Sequence, residues 1–261
     1  MFMAERKPFI VANWKLNFTA PEALKFFAAF THELKAVGEV EIALAPPFTA
    51  LYSLGVALQE TPFKLAAQNM FWEESGAYTG EISGTFLKDV GCEYVIIGHS
   101  ERRQYFGETD ETVAKKIHAA LRNELTPIMC IGEVLADREA NRTWEICERQ
   151  LKNGLSSIFL KDVERFVIAY EPVWAIGTGK TAAPSQAEEV HQMIRHWLSK
   201  TYDGATAERT RILYGGSVKA AISRDILSQP NIDGALVGGA SLDPLEFANI
   251  IRSAPQKASQ H

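Results

Sequence analysis

The sequence predicts an α/β chain folded as a closed (β/α)8 barrel in a single domain, and three observations carry that reading. Eight short apolar runs recur along the chain, segments with helical spacing separate them, and the total of 261 residues is a length at which α/β barrels form one domain. Near-continuous apolar strands alternating with helices imply a parallel sheet covered by helices, and a count of eight favours closure. Count alone keeps an open doubly wound sheet as an alternative, and length alone keeps a second domain as one. No Gly/Ser-rich linker or shift of composition divides the chain, so one domain over 1–261 is expected, with the ends 1–7 and 254–261 frayed.

Taken in order, Phe9-Ile10-Val11-Ala12 is the first run, too short for a helix and stopped by polar Asn13. Thr19-Ala20-Pro21-Glu22 then offers a cap, a proline tolerated in a first turn and an acid three residues on, which together start a helix. Val40-Glu41-Ile42-Ala43-Leu44 and Lys64-Leu65-Ala66-Ala67 are the second and third strands, and Tyr94-Val95-Ile96-Ile97 the fourth. Helical spacing from Glu111 to Leu125 leads into the fifth, Pro127-Ile128-Met129-Cys130-Ile131. A second helical stretch, Trp144 to Leu151, precedes the sixth, Phe166-Val167-Ile168-Ala169. Ala183-Pro184-Ser185-Gln186 starts a helix that continues through Ala187 to Leu198, and Arg211-Ile212-Leu213-Tyr214 and Gly234-Ala235-Leu236-Val237 complete the set.

Composition narrows the function classes. Hydrophobic residues make up 46% and charged residues 23%, the mix of an ordinary globular protein. No apolar run approaches the roughly 18 residues a spanning helix needs, so no membrane partner is expected. The N-terminus carries Glu5, Arg6 and Lys7 and no apolar core ahead of a small-residue cleavage site, which argues against a secretory signal and for the cytoplasm. A net charge of −5 gives no basic footprint for nucleic acid, so any anionic ligand must be held by local groups. Cys92, Cys130 and Cys147 are odd in number and contain no C-x-x-C pair, which argues for reduced thiols rather than disulfides or zinc. No metal and no cofactor is expected.

In a barrel of this kind chemistry belongs at the C-terminal ends of the strands. Asn13-Trp14-Lys15, Gly98-His99-Ser100-Glu101, Gly132-Glu133, Glu171, Gly215-Gly216-Ser217 and Gly238-Gly239 would all ring one mouth. The stretch Ala169 to Thr181 is a carboxylate followed by a hinged flap. Pro172 limits the backbone at its own position and at Glu171, whereas Gly177 and Gly179 admit torsions closed to other residues. Alone, Glu171 reads equally as a surface acid on an ordinary loop, and a lone His99 as a structural histidine.

The segments Asn13-Trp14-Lys15, Ala67-Gln68-Asn69, Trp72 to Ser83, Gly98 to Arg103, Cys130-Ile131-Gly132-Glu133, Ala169 to Lys180, Tyr214-Gly215-Gly216-Ser217 and Val237 to Leu242 together carry a resemblance. In order and spacing they resemble the triosephosphate isomerase family over essentially the full chain, which implies the TIM barrel. Ala12, Leu16 and Phe18 depart from what the family often has there, and none is assigned to chemistry.

The resemblance implies isomerisation of a phosphorylated triose through an enediolate. Glu171 would be the base, ionised yet poorly solvated, with Ile176 and Leu236 closing over it. His99 would polarise the carbonyl as a neutral imidazole, with Ser100 to Arg103 forming a short helix; this family is itself the standard illustration of that effect. Lys15 would add positive charge, Asn13 a neutral hydrogen bond, and Glu101 would pair with Lys15. Backbone N–H groups at Gly177, Ser217, Gly238 and Gly239 would bind phosphate. The lid would span Pro172, Val173, Trp174, Ala175, Ile176, Gly177, Thr178, Gly179, Lys180, Thr181 and Ala182, with Trp174 on Glu133 when open and Tyr214 and Ser217 on the flap backbone when closed. The long stretch Trp72 to Gly80 would reach a second subunit, placing Thr79 near the partner's Asn13 and Lys15 in a homodimer. Glu108 and Arg102 read as a structural ion pair and Cys130 as packing. Two other functions compete: a lyase using Lys15 as a Schiff-base nucleophile, and a catalytically silent barrel acting as a binding module.

Overall fold

The computed structural model describes residues 6–34, 38–159, 165–176 and 182–255. In chain order the elements are β1 (Phe9–Asn13), α1 (Ala20–Glu33), β2 (Glu41–Ala45), α2 (Phe48–Leu58), β3 (Lys64–Ala67), α3 (Gly84–Asp89), β4 (Cys92–Ile97) and α4 (Ser100–Tyr105). They continue as α5 (Asp110–Arg122), β5 (Thr126–Ile131), α6 (Leu135–Glu139), α7 (Thr143–Gly154), β6 (Val167–Tyr170) and a 3-10 turn at Val173–Ala175. The remainder is α8 (Pro184–Thr201), α9 (Gly204–Arg209), β7 (Arg211–Tyr214), α10 (Ala220–Leu227), β8 (Gly234–Val237), a second 3-10 turn at Gly239–Leu242 and α11 (Pro244–Ser253). The eight strands pair in sequence order, all parallel, and β1 pairs with β8 to close the barrel.

The capping chemistry read from the sequence starts the helices as expected. Glu22 accepts from the Thr19 backbone N–H at 2.8 Å ahead of α1, and Gln186 accepts from the Ala183 N–H at 3.0 Å ahead of α8.

Alternation along each strand sorts the apolar residues into two cores. Phe9, Val11, Ala43, Ala66, Ile96, Ile128, Val167, Ala169 and Leu213 point inward and fill the barrel. Their neighbours Ile10, Ile42, Leu44, Val95, Met129, Ile168 and Ile212 point outward against the helices. Closure between β1 and β8 depends on a glycine, since Gly234 has φ +152° and a Cβ there would lie 1.8 Å from the Phe9 carbonyl oxygen. At the N-terminal pole Tyr94 packs on Phe9 with ring centres 4.7 Å apart, Arg211 stands over Phe9, and Glu41 ties Tyr94 to Arg211. That pole is plugged, and the strand C-termini carry the site.

The expectation of frayed ends is corrected at its inner margins. Arg6 binds Asp233 at 2.5 Å and Glu208 at 2.9 Å, and Ala254 is buried. A guanidinium with two carboxylate partners holds the chain ahead of β1, and apolar burial holds it after α11. The outer parts of both ends lie outside the described residues.

Candidate active site

Glu171 follows β6 directly, its backbone N–H donating to the Ile131 carbonyl at 2.7 Å, so the strand hydrogen-bond ladder continues through it. Its side chain is almost wholly buried. One carboxylate oxygen accepts from the Ser100 N–H at 3.0 Å; the other accepts from the Ser100 hydroxyl at 3.1 Å and lies 3.0 Å from His99 Nε2. Two glycines make room for it. A Cβ on Gly132 would overlap the Glu171 carbonyl, and one on Gly215 would lie 2.9 Å from its Cγ. Cys130 is fully buried beside Glu171, and burial with the neighbouring carboxylate raises its thiol well above the usual range, so it stays neutral and packs as expected.

His99 caps α4, the short helix expected after it. Its Nδ1 accepts from the Glu101 backbone N–H at 3.2 Å. An N–H can only donate, so Nδ1 must accept, and a neutral ring then carries its proton on Nε2, facing Glu171. The Glu101 carboxylate lies 3.6 Å from Nδ1, beyond a hydrogen bond, and spends its other oxygen on the Lys15 ammonium at 2.6 Å. The pairing of Lys15 with Glu101 thus matches expectation.

Lys15 has φ 53°, left-handed backbone that a side chain of this size adopts only when surroundings impose it. Asn13 Oδ1 accepts from the Lys15 N–H at 3.1 Å, leaving the Asn13 amide nitrogen as a donor. Gln68 donates to the carbonyls of Lys15 at 2.9 Å and of Ala45 at 2.8 Å. Gly238 leaves space for the Lys15 stem, whose Cε would lie 3.2 Å from a Cβ there. Nearby Phe18 also has positive φ, 73°, and packs on Trp14 and Phe26.

A cavity of about 480 Å³ is lined by Asn13, Lys15, His99, Glu101, Glu171, Ile176, Ser217, Leu236, Gly238 and Gly239, together with Gly215, Gly216, Lys219, Ala240 and Glu246. The amide, ammonium, imidazole and carboxylates expected at the mouth therefore share one space. Gly239 opens the second 3-10 turn at the edge of this cavity, and a Cβ on it would meet nothing within 4 Å. Gly177, Thr178, Gly179, Lys180 and Thr181 lie outside the described residues.

Glu133 stands apart from this cavity. Its side chain is completely buried and accepts from Trp174 Nε1 at 2.8 Å and from the Tyr170 hydroxyl at 3.2 Å. The Trp174 contact is the one the resemblance implies for an open lid. Ala175 is buried, whereas Val173, Trp174 and Ile176 are partly exposed; Pro172 leads into the 3-10 turn that Val173 opens, and Ala182 is buried. The Tyr214 hydroxyl is buried against Gly216, whose Cβ would come within 2.2 Å of it. Burial pushes that phenol up to about 12.

Ser100, Gln68 and Gly132 contribute to the site without having been assigned roles from the sequence. Ser100 had one local signal, its position directly after His99 at a helix start. Glu108 and Arg102 form the expected structural pair at 2.7 Å, extended by Lys116 at 2.9 Å. Thr79 is exposed in the loop between β3 and α3, next to Tyr78, whose ring packs on Phe71.

The chain matches the family described as Triosephosphate isomerase over residues 8–254. It is 54% identical over 247 residues to the triosephosphate isomerase of Geotalea uraniireducens (strain Rf4), covering 95% of this chain and 98% of that protein. The triosephosphate isomerase of Endomicrobium trichonymphae is 50% identical over 247 residues, covering 95% of this chain and 98% of that protein. That of Dictyoglomus turgidum (strain DSM 6724 / Z-1310) is 51% identical over 248 residues, 95% of this chain and 100% of the other. With the closed barrel, the shared cavity at its strand ends and identity sustained over nearly the whole length, the chain belongs to the triosephosphate isomerase family.

Proposed function

We propose that this chain interconverts dihydroxyacetone phosphate and D-glyceraldehyde 3-phosphate in glycolysis and gluconeogenesis, moving a proton between adjacent carbons through an enediolate. Family membership makes it an isomerase. The observation that carries the residue assignment is a buried carboxylate facing an imidazole N–H across one cavity, Glu171 Oε1 to His99 Nε2 at 3.0 Å. In this reading a substrate enters between them. Glu171 exchanges its Ser100 and His99 bonds for the substrate carbon and takes the proton, and burial leaves few waters to solvate it. Nε2–H of His99 then donates to the substrate oxygens. Lys15 stabilises the developing oxyanion and the phosphate, Asn13 adds a neutral donor, and Glu101 holds the ammonium in place.

The phosphate is assigned to backbone N–H groups of Gly177, Ser217, Gly238 and Gly239, supported by the open space at Gly239 and by the cavity lining that Ser217, Gly238 and Gly239 share. Leu236 and Ile176 line the cavity beside the base, and residues from Pro172 to Ala182 serve as a lid that excludes water and keeps the enediolate from losing phosphate. A homodimer is supported by exposed Leu16 next to Lys15, 96% exposed, and by Tyr78 beside Thr79, 44% exposed. Among the described residues no helix is long and apolar enough to cross a membrane, and the cytoplasm is the compartment assigned.

A coupled isomerisation assay of Glu171→Gln tests the base. General-base catalysis contributes about 10²–10⁴-fold, so the variant should lose that much in kcat, and a loss of only a few-fold would refute the assignment. The competing lyase reading predicts a borohydride-trapped adduct at Lys15, which the isomerase reading does not.

A further inference from the structure

We infer that Glu246 is a positioning residue for the substrate phosphate: by tying the first turn of α10 to α11 it fixes the spacing of the two loops whose backbone N–H groups are assigned to that phosphate. The inference rests on that assignment, to Ser217 on one loop and to Gly238 and Gly239 on the other. Ser217 lies between β7 and α10, and the two glycines lie between β8 and α11.

The strands themselves do not set that spacing. β7 and β8 pair at Tyr214 and Ala235, so their ladder ends before either loop begins. Beyond it each strand end is held on its other side. The Gly215 N–H donates to the Tyr170 carbonyl of β6 at 2.7 Å, and Val237 pairs with Ala12 of β1. Among the described residues two hydrogen bonds join α10 to α11: Ala220 N–H to Glu246 Oε1 at 2.8 Å, and Ser253 Oγ to Ser223 Oγ at 2.7 Å. Ser253 ends α11, so its bond lies away from the loops. The Glu246 bond lies at them, since Ala220 opens α10 and Glu246 belongs to the first turn of α11.

The N-cap residue of α10 is Lys219, whose ammonium can only donate, so the first-turn N–H groups need an acceptor from elsewhere. Glu246 supplies one, and a carboxylate suits a helix N-terminus. It is held in turn, because its own N–H donates to Asp243 Oδ1 at 2.8 Å and Pro244 stiffens the start of α11. Glu246 and Lys219 both line the cavity alongside Ser217, Gly238 and Gly239, which places this tie at the edge of the site. A carboxylate repels a bound phosphate. What Glu246 contributes there is therefore the hydrogen bond and not the charge.

The test measures inorganic phosphate binding by calorimetry, and turnover of D-glyceraldehyde 3-phosphate and of unphosphorylated D-glyceraldehyde, in the parent, Glu246→Ala and Glu246→Gln. The alanine variant loses the acceptor, so its Kd for phosphate should rise, and its kcat/KM for the phosphorylated substrate fall, by roughly tenfold. Its kcat/KM for D-glyceraldehyde should stay within about twofold of the parent, because that substrate makes no use of the phosphate loops. The glutamine variant keeps an acceptor on a side chain of the same length and removes the like charge, so it should bind phosphate at least as tightly as the parent. Ala220→Pro removes the donor where proline suits the first helical turn and Lys219 is already extended, at φ −127° and ψ 155°. It should reproduce the alanine effect, and the double variant should be no weaker than the weaker single. A folded Glu246→Ala that binds phosphate as the parent does would overturn the inference. So would a glutamine variant as weak as the alanine one, or a loss with D-glyceraldehyde equal to that with the phosphorylated substrate. A parent that binds no phosphate would remove the loop assignment and the role of Glu246 with it. Calorimetry reads phosphate without reference to the reaction, so a parent inactive in isomerisation would sink the proposed function and leave Glu246 decided by the binding data.

Discussion

Replacing Gly132 by alanine tests how tightly the backbone of the proposed base is set. Gly132 has no positive φ, so alanine meets no conformational objection there, and the whole cost is space. The added Cβ would lie 1.7 Å from the Glu171 carbonyl oxygen, 2.7 Å from its carbonyl carbon and 3.3 Å from its Cα. All three are backbone atoms, so no side-chain rotation relieves the overlap. To reach 3.0 Å, below which real Cβ contacts are essentially never found, the β5 and β6 ends must part by at least about 1.3 Å. That displacement breaks the hydrogen bonds from Glu171 N–H to Ile131 and from Val173 N–H to Glu133, and it carries the carboxylate with it. Misplacement of a catalytic group by about 1 Å costs on the order of 10²-fold in rate, while overpacking costs about 1–3 kcal/mol in stability. At roughly 2–4 °C per kcal/mol for chains approaching this size, the melting point should fall by only several degrees. The assay is coupled isomerisation at a temperature where both proteins are folded. Gly204→Ala is the control, because its Cβ meets only Ser199 Oγ at 3.9 Å. A Gly132→Ala enzyme that keeps kcat within a few-fold of the parent would refute the claim that this contact positions the base.

Three further outcomes are expected. Glu108→Gln leaves Lys116 and Arg102 without their buried carboxylate and should destabilise the protein by about 3–5 kcal/mol at pH 7. Burial pushes Glu108 up, but Lys116 and Arg102 outweigh it and hold the folded pKa below its usual 4.5, so its contribution is present above that value and lost as pH falls through the depressed one. Denaturant melts at pH 7 and pH 3.5 should show the deficit shrinking in acid, and a constant deficit would contradict the assignment. Thr79→Arg should give a monomer by sedimentation with reduced activity; an intact dimer would remove Thr79 from the interface. Gly238→Ala crowds Lys15 Cε from 3.2 Å and should raise KM by roughly tenfold if that ammonium binds substrate, whereas an unchanged KM would argue against it.

The strands were legible because parallel strands buried on both faces spell continuous apolar runs. Three runs, at Lys64, Arg211 and Gly234, match their strands residue for residue. Elsewhere the boundary moved where a polar or terminal residue still belonged to the ladder. β4 begins two residues before its run, at Cys92, because Glu93 faces outward to Lys64 at 3.0 Å and breaks the apolar pattern without breaking the pairing. β6 runs one residue further, through Tyr170. Ser100, Gln68 and Gly132 stayed unassigned for another reason. Each acts through a partner tens of residues away, Ser100 on Glu171 across 71 positions and Gln68 on Lys15 across 53, and local spacing carries no signal for such meetings.

Glu133 and Glu171 show where sequence and geometry part most clearly. Both follow buried strands, both are almost wholly excluded from solvent, and each is an acid two residues beyond the last residue of an apolar run. Pattern alone gives no ground for making one a base and the other a brace. Their partners do. Glu133 accepts from an indole and two hydroxyls, lies under Trp174 and has Arg138 alongside, so its lone pairs and charge are committed and no substrate atom can reach it. Glu171 accepts from Ser100 and faces His99 in a cavity that also holds Lys15 and Asn13, so its bonds are exchangeable for those of a ligand entering the same space. The difference has a physical source in the two glycines. Gly132 and Gly215 let the β5 and β7 ends approach the backbone and stem of Glu171 closely enough to turn it toward the cavity, while Val173 N–H bonded to the Glu133 carbonyl draws the following turn over Glu133. Glu133 thus holds the chain on either side of Glu171 through hydrogen bonds from Tyr170, Val173 and Trp174, while the Glu171 carboxylate keeps its face to the cavity.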